Sequence, residues 1–148
     1  MNVQVVEQEA SWWPTASVGT RKPRVLLAED DPDMLQMVAW MLRNENYDVI
    51  EASDGVDLLR RIQAASWGER QYAFDAIVSD INMPDLTAVE VVAAISSKNP
   101  LPPFVLITAF RDPRARAEAR ALGAVAVLDK PLDWRKLRRA VRAAVGRQ

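Results

Sequence analysis

The chain has 148 residues, 49% of them apolar and 26% charged, with a formal net charge of −1, which describes one folded globular domain rather than a disordered chain. It contains neither histidine nor cysteine, and this excludes histidine general bases, histidine or thiolate zinc sites, disulfides and a phosphohistidine of its own. Its five glycines are not spaced as a G-x-G-x-x-G turn or a P-loop, so any chemistry must rest on carboxylates, hydroxyls, Lys, Arg or a hard metal ion.

Residues 1–23 lack periodicity and are read as an N-terminal extension, with a folded domain expected over 24–148. The pair Trp12-Trp13 before Pro14 is unusual for a solvated tail; docking on the domain, docking on a partner and absence of function all remain open for it. From Arg24 onward, short apolar runs alternate with helical periodicity five times. Val25–Ala28 is a buried-type strand. Asp31 followed by Pro32 signals a helix cap and first turn, with Met34, Val38, Met41 and Leu42 as the apolar face. Tyr47–Glu51 reads as the second strand, followed by a helix capped by Ser53 or Asp54 and running to about Ala65. Ser66–Asp75 is expected to be a surface connection. Ala76–Ser79 is the third strand, with a helix over Thr87–Ser97, and Phe104–Thr108 is the fourth. Asp112-Pro113 repeats the capping device before a helix reaching Leu122. Ala124–Leu128 is the fifth strand, and Asp133 caps a last helix with Trp134, Leu137, Val141 and Ala144 on one face.

Strands that read as continuous apolar runs between helices predict an α/β fold with a five-stranded parallel sheet covered on both sides. In such sheets, ligands bind at the carboxyl ends of the strands, where the strand order reverses. Polar groups of a particular kind stand at those ends. Glu29, Asp30 and Asp31 follow the first strand, and Asp80-Ile81-Asn82-Met83-Pro84 follows the third. Thr108-Ala109 ends the fourth, and Asp129-Lys130-Pro131 the fifth. Two carboxylates about 4 Å apart repel by roughly 4 kcal/mol at an intermediate dielectric, so the cluster requires a cation or a raised pKa. Oxygen-only ligands select a hard ion such as Mg2+. Taken singly, each residue has a plainer explanation: Asp31 is a helix cap, Glu29 and Asp30 loop acids, Thr108 a strand end, Lys130-Pro131 a turn. Taken together, a carboxylate cluster, a hydroxyl and a lysine describe a phosphoryl-acceptor site.

The residues Val25-Leu26-Leu27-Ala28-Glu29-Asp30-Asp31, Asp54-Gly55, Asp80-Ile81-Asn82-Met83-Pro84, Thr108-Ala109, Gly123-Ala124 and Lys130-Pro131 resemble the receiver domains of two-component response regulators, over roughly residues 24–146. The resemblance implies a flavodoxin-like three-layer (βα)5 fold with strand order 2-1-3-4-5. It implies that Asp80 is phosphorylated from the phosphohistidine of a sensor histidine kinase or histidine phosphotransfer protein. Asp30 and Asp80 would hold Mg2+, with Glu29 acting through water and Asn82 through its backbone carbonyl. Lys130 would contact the phosphoryl group across a cis bond to Pro131, and Thr108 would be the switch hydroxyl. The domain would be a regulatory phospho-acceptor rather than an enzyme acting on a separate substrate.

Four residues at three sites stand out against the family pattern. Val127 replaces the usual aromatic three residues before the lysine, removing a ring whose rotation reports phosphorylation. Phe110, two residues past Thr108, is expected to hinder the attacking water and prolong the phosphoryl state. Thr87-Ala88 replaces the usual Asp-Gly, so that loop is expected to close differently.

Charge is unevenly placed: residues 1–74 carry 7 basic and 12 acidic side chains, and residues 75–148 carry 12 and 8. Solvated faces of the last two helices account for the basic excess most simply, with a docking surface for an acidic partner as the second reading. No basic-aromatic interleaving favours nucleic acid. The last helix ends close to Gln148, from which a stand-alone receiver with a downstream protein target is expected, without direct DNA binding. The last two helices are the expected route of any dimerisation. Glu7 and Glu9 stand where a secretory leader would be basic, and no apolar run approaches the roughly 18 residues of a membrane helix, so a cytoplasmic protein is expected. Two other readings use the same residues: a non-phosphorylated, receiver-like binding module, supported by Val127 and Thr87-Ala88, and an aspartyl phosphatase suggested by Asp31-Pro32-Asp33. Pro32 at a helix start explains the latter motif more simply.

Overall fold

The computed structural model describes residues 21–67, 73–96, 100–109 and 113–146. Among these, five strands alternate with five helices: β1 (Arg24–Ala28), α1 (Pro32–Asn44), β2 (Asp48–Ala52), α2 (Gly55–Trp67), β3 (Ala76–Asp80), α3 (Ala88–Ser96), β4 (Phe104–Thr108), α4 (Pro113–Ala121), β5 (Ala126–Asp129) and α5 (Trp134–Val145). The strands form one sheet in the order β2-β1-β3-β4-β5, with every neighbouring pair parallel. Leu26 lies between Ile50 and Ile77, Ile77 faces Phe104, and Val105 faces Ala126.

Alternation along the strands divides the interior into two cores. Val25 and Leu27 of β1 point to one face, where α1 and α5 bring Leu35, Val38, Leu42, Leu137 and Val141. Leu26 and Ala28 point to the other, against Leu58 of α2, Val91 and Val92 of α3 and Ala119 of α4. All five residues of β3 and of β4 are buried, as expected of central strands covered on both sides. Each fully buried Leu or Val contributes roughly 1.5–3 kcal/mol of hydrophobic free energy relative to exposure.

Local chemistry sets the helix starts. Asp31 caps α1 by accepting from the Asp33 amide, and Asp133 caps α5 by accepting from the Arg135 amide. Of Ser53 and Asp54, Asp54 caps α2, its Oδ1 accepting from the Asp57 amide at 2.7 Å. The changed loop after Pro84 closes by a reciprocal box: Thr87 Oγ1 accepts from the Glu90 amide and Glu90 Oε1 from the Thr87 amide. No positive φ is used there; Asn46 (71°) is the one non-glycine residue with positive φ among the described residues. The Asp112 cap and the Trp12-Trp13 pair lie outside the described residues.

Several expected boundaries move. β2 begins at Asp48 because the Tyr47 amide still closes α1, donating to the Leu42 carbonyl. β5 begins at Ala126, since the Gly123 and Ala124 amides are still engaged by the carbonyls of Arg120 and Ala119. α2 continues through Trp67, past the Ala65 expected of it. α3 begins at Ala88 rather than Thr87, and α4 ends at Ala121 rather than Leu122. The buried stripe of α1 is Leu35, Val38, Ala39 and Leu42, with Met34 and Met41 flanking it, half-buried.

Candidate functional site

Strand order reverses between β1 and β3, and the carboxyl ends of these strands deliver Glu29, Asp30 and Asp80 to one place. Their carboxylate oxygens lie within 4.8 Å of one another. Glu29 and Asp80 are buried (3% and 4% exposed), whereas Asp30 is exposed and opens the cluster to solvent. The placement follows from the backbone. The Glu29 amide donates to the Ala52 carbonyl, continuing the β1–β2 pairing, and Glu29 Oε2 accepts from the Asp31 amide at 3.1 Å. Asp80 Oδ1 accepts from the Asn82 amide at 3.0 Å.

Lys130 arrives from the far side. Its amide donates to the Thr108 carbonyl, and its Nζ donates to Asp80 Oδ2 at 2.8 Å and to Glu29 Oε1 at 3.1 Å. The Lys130–Pro131 peptide is cis. Thr108, 3% exposed, ends the neighbouring strand β4, and its Oγ1 accepts from Asn82 Nδ2 at 3.4 Å. The structure thus brings together all six residues singled out from the sequence. The side-chain contact between Asn82 and Thr108 was not legible there, because it joins the loop after β3 to the end of β4, 26 positions apart in the chain.

Charge governs the site. Burial, the largest influence, raises the pKa of Glu29, and the Asp80 charge raises it further, against the Asp31 amide and Lys130, which lower it. Burial would lower the pKa of Lys130, but the hydrogen bonds and charges of Asp80 and then Glu29 outweigh it, and the net shift is upward. One ammonium thus faces three carboxylates. An all-oxygen donor set of three clustered acids, two of them buried, suits a hard divalent cation such as Mg2+ and does not suit a thiophilic metal.

Two further residues are tied to this end of the sheet. Asp85, in the loop after β3, accepts from the Gly55 and Val56 amides at 2.9 Å each, capping the start of α2. The Val56 amide and then the other backbone donors hold its carboxyl at about 2, although desolvation opposes them. Arg116 of α4 donates through Nη1 to the Val127 carbonyl at 3.0 Å and through Nη2 to the Asp129 carboxylate. Neither carried a sequence signal, because both join segments that only the fold brings together. Val127 is buried under α4, and Phe110 lies outside the described residues.

The family model described as "Response regulator receiver domain" matches residues 25–142. Transcriptional regulatory protein PdtaR of Mycobacterium tuberculosis is 32% identical over 136 residues, covering 90% of this chain and 62% of the relative. Transcriptional regulatory protein PrrA of Mycobacterium bovis is 33% identical over 130 residues, covering 88% and 53%. The chain therefore spans less than two thirds of the length of these relatives. Among solved structures, a Francisella response regulator receiver domain superposes with a TM-score of 0.74 at 25% identity, covering 85% of this chain and 98% of that one. The chemotaxis protein CheY4 of Vibrio cholerae superposes with a TM-score of 0.69 at 30% identity, covering 84% and 99%.

Proposed function

The chain belongs to the response regulator receiver domain family, and we propose that it is phosphorylated on Asp80 by a partner histidine kinase or histidine phosphotransfer protein in a Mg2+-dependent reaction. Membership implies a regulatory phospho-acceptor of two-component signalling. The observation that carries the residue assignment is Lys130 Nζ bonded to both Asp80 and Glu29, with Asp30 beside them at the switch point of the sheet.

In this reading an Asp80 oxygen bonds to phosphorus as the bond from phosphorus to the donor's imidazole nitrogen breaks, leaving an aspartyl phosphate. Hydrogen bonds to both carboxylate oxygens fix the orientation of Asp80 before the donor arrives. Lys130 is already in place to exchange its carboxylate partner for a phosphoryl oxygen. Thr108, at the next strand end, supplies a hydroxyl toward the same space. Asp30, Asp80, the Asn82 carbonyl and, through water, Glu29 would hold Mg2+, which would neutralise charge on the phosphoryl oxygens. Residues 24–148 would form the receiver and 1–23 an extension outside it.

The output in this reading is a protein contact made by α4, β5 and α5 rather than DNA binding. Exposed Arg120, Arg135, Lys136 and Arg139 support it, since they form no ion pair among the described residues. The same face is the proposed route of any dimerisation. Incubation with acetyl phosphate and Mg2+ should add the mass of one phosphoryl group, detected by intact mass spectrometry and lost in Asp80→Asn. An unmodified wild-type chain, or an adduct that persists in that variant, overturns the assignment.

A further inference from the structure

α4 is an unusual helix. Its sequence, Pro113-Arg114-Ala115-Arg116-Ala117-Glu118-Ala119-Arg120-Ala121, offers no apolar side chain larger than alanine beyond Pro113, and only Ala119 is buried. Hydrophobic attachment to the sheet is therefore slight, and polar contacts carry a larger share of its docking than they do for α1 or α5. Arg116 supplies two of them. Its planar fork takes the Val127 carbonyl with one nitrogen and the Asp129 carboxylate with the other, a geometry that a lysine cannot reproduce. Asp129 has no other ion-pair partner among the described residues.

Both acceptors belong to β5, and Asp129 is covalently next to Lys130. The Lys130 amide is pinned to the Thr108 carbonyl and its ammonium to Asp80 and Glu29. Any shift of Lys130 when the charge on Asp80 changes must pass one residue back to Asp129, and from there to the guanidinium and α4. Val127 offers no large side chain to carry the change, but its carbonyl lies in the same fork. The fork also walls a cavity of about 350 Å³ shared with Lys130, Pro131 and Lys136, which leaves room for the β5 end to move.

We propose that Arg116 is a positioning residue that couples the state of the Asp80 site to α4, through its fork on the Val127 carbonyl and the Asp129 carboxylate. This rests on the phospho-acceptor reading of Asp80, and the test separates the two. Amide shifts of the full chain are followed by NMR on adding beryllium fluoride with Mg2+. In the wild type, shifts are expected at Asp80, Thr108 and Lys130 and throughout α4. In Arg116→Met, which keeps an apolar stem, the site shifts persist and the α4 shifts are lost. Asp129→Asn, which leaves the Val127 contact intact, gives the same loss should the first variant fold poorly. Arg116→Lys retains less transmission than the wild type. Full α4 shifts in Arg116→Met or Asp129→Asn overturn the coupling alone. A wild type with no shifts at Asp80 and Lys130 overturns the phospho-acceptor reading, and the coupling with it.

Discussion

Lys130 holds two buried carboxylates that would otherwise repel, and this makes it structural as well as chemical. Replacing it by Met leaves Glu29 and Asp80 uncompensated, and stability without divalent cations should fall by on the order of 3 kcal/mol in urea unfolding. Asp80→Asn relieves part of the repulsion while keeping an acceptor for the Asn82 amide, so its melting temperature in EDTA should exceed that of the wild type. A lower value would mean that the ion pair with Lys130 outweighs the repulsion. Trp40 is a contrasting case. Although large and apolar, it is 66% exposed, and Trp40→Gln should change stability by no more than about 0.5 kcal/mol. The acids, Thr108 and Lys130 were readable because each stands immediately after an apolar run, so the strand fixes where it ends. Arg116 and Asp85 were not, since an exposed-type Arg or Asp carries no mark of the distant backbone it will meet.

The clearest case at the level of elements is the joint between the loop after β3 and the start of α2. A Cβ on Gly55 would stand 2.2 Å from the Leu86 carbonyl oxygen, a distance no side chain tolerates. Gly55→Ala must therefore push the loop away from the Gly55 and Val56 amides. It should destabilise the protein by about 1–3 kcal/mol, against the roughly 1 kcal/mol gain that alanine brings to an ordinary helix position. The Asp54-Gly55 match was visible in the sequence, but its cause, the approach of Leu86, was not. Asp85 makes the same joint pH-sensitive. Its carboxyl is held at about 2, below its ordinary 3.8, so its contribution is complete above the ordinary value and is lost as pH falls toward 2. Asp85→Ala should remove that component from an acid-unfolding curve, leaving a shallower slope between those pH values. Thr87→Ala, which breaks the reciprocal cap of α3, should cost about 1 kcal/mol.

At the scale of the whole molecule, the three acids couple folding to cation binding. Because the unfolded chain cannot gather Glu29, Asp30 and Asp80, Mg2+ should raise the melting temperature, and at 100 times its dissociation constant it should add about 2.7 kcal/mol. The increment should shrink in Asp30→Ala, read by differential scanning fluorimetry across a Mg2+ titration. An equal increment in that variant would place the ion elsewhere. The sequence by itself determined the α/β class, the five repeats of strand and helix, most caps, and the residues standing at strand ends. These depend on periodicity, on local hydrogen bonding and on abrupt changes from apolar to charged, all properties of neighbouring residues. Tertiary structure alone decided which strand ends meet, how Lys130 divides its ammonium between Asp80 and Glu29, and that Asp85 and Arg116 fasten a loop and a weakly anchored helix to the site. Those contacts join residues 11 to 101 positions apart, and at such separations only the folded backbone, not local sequence, selects the partner.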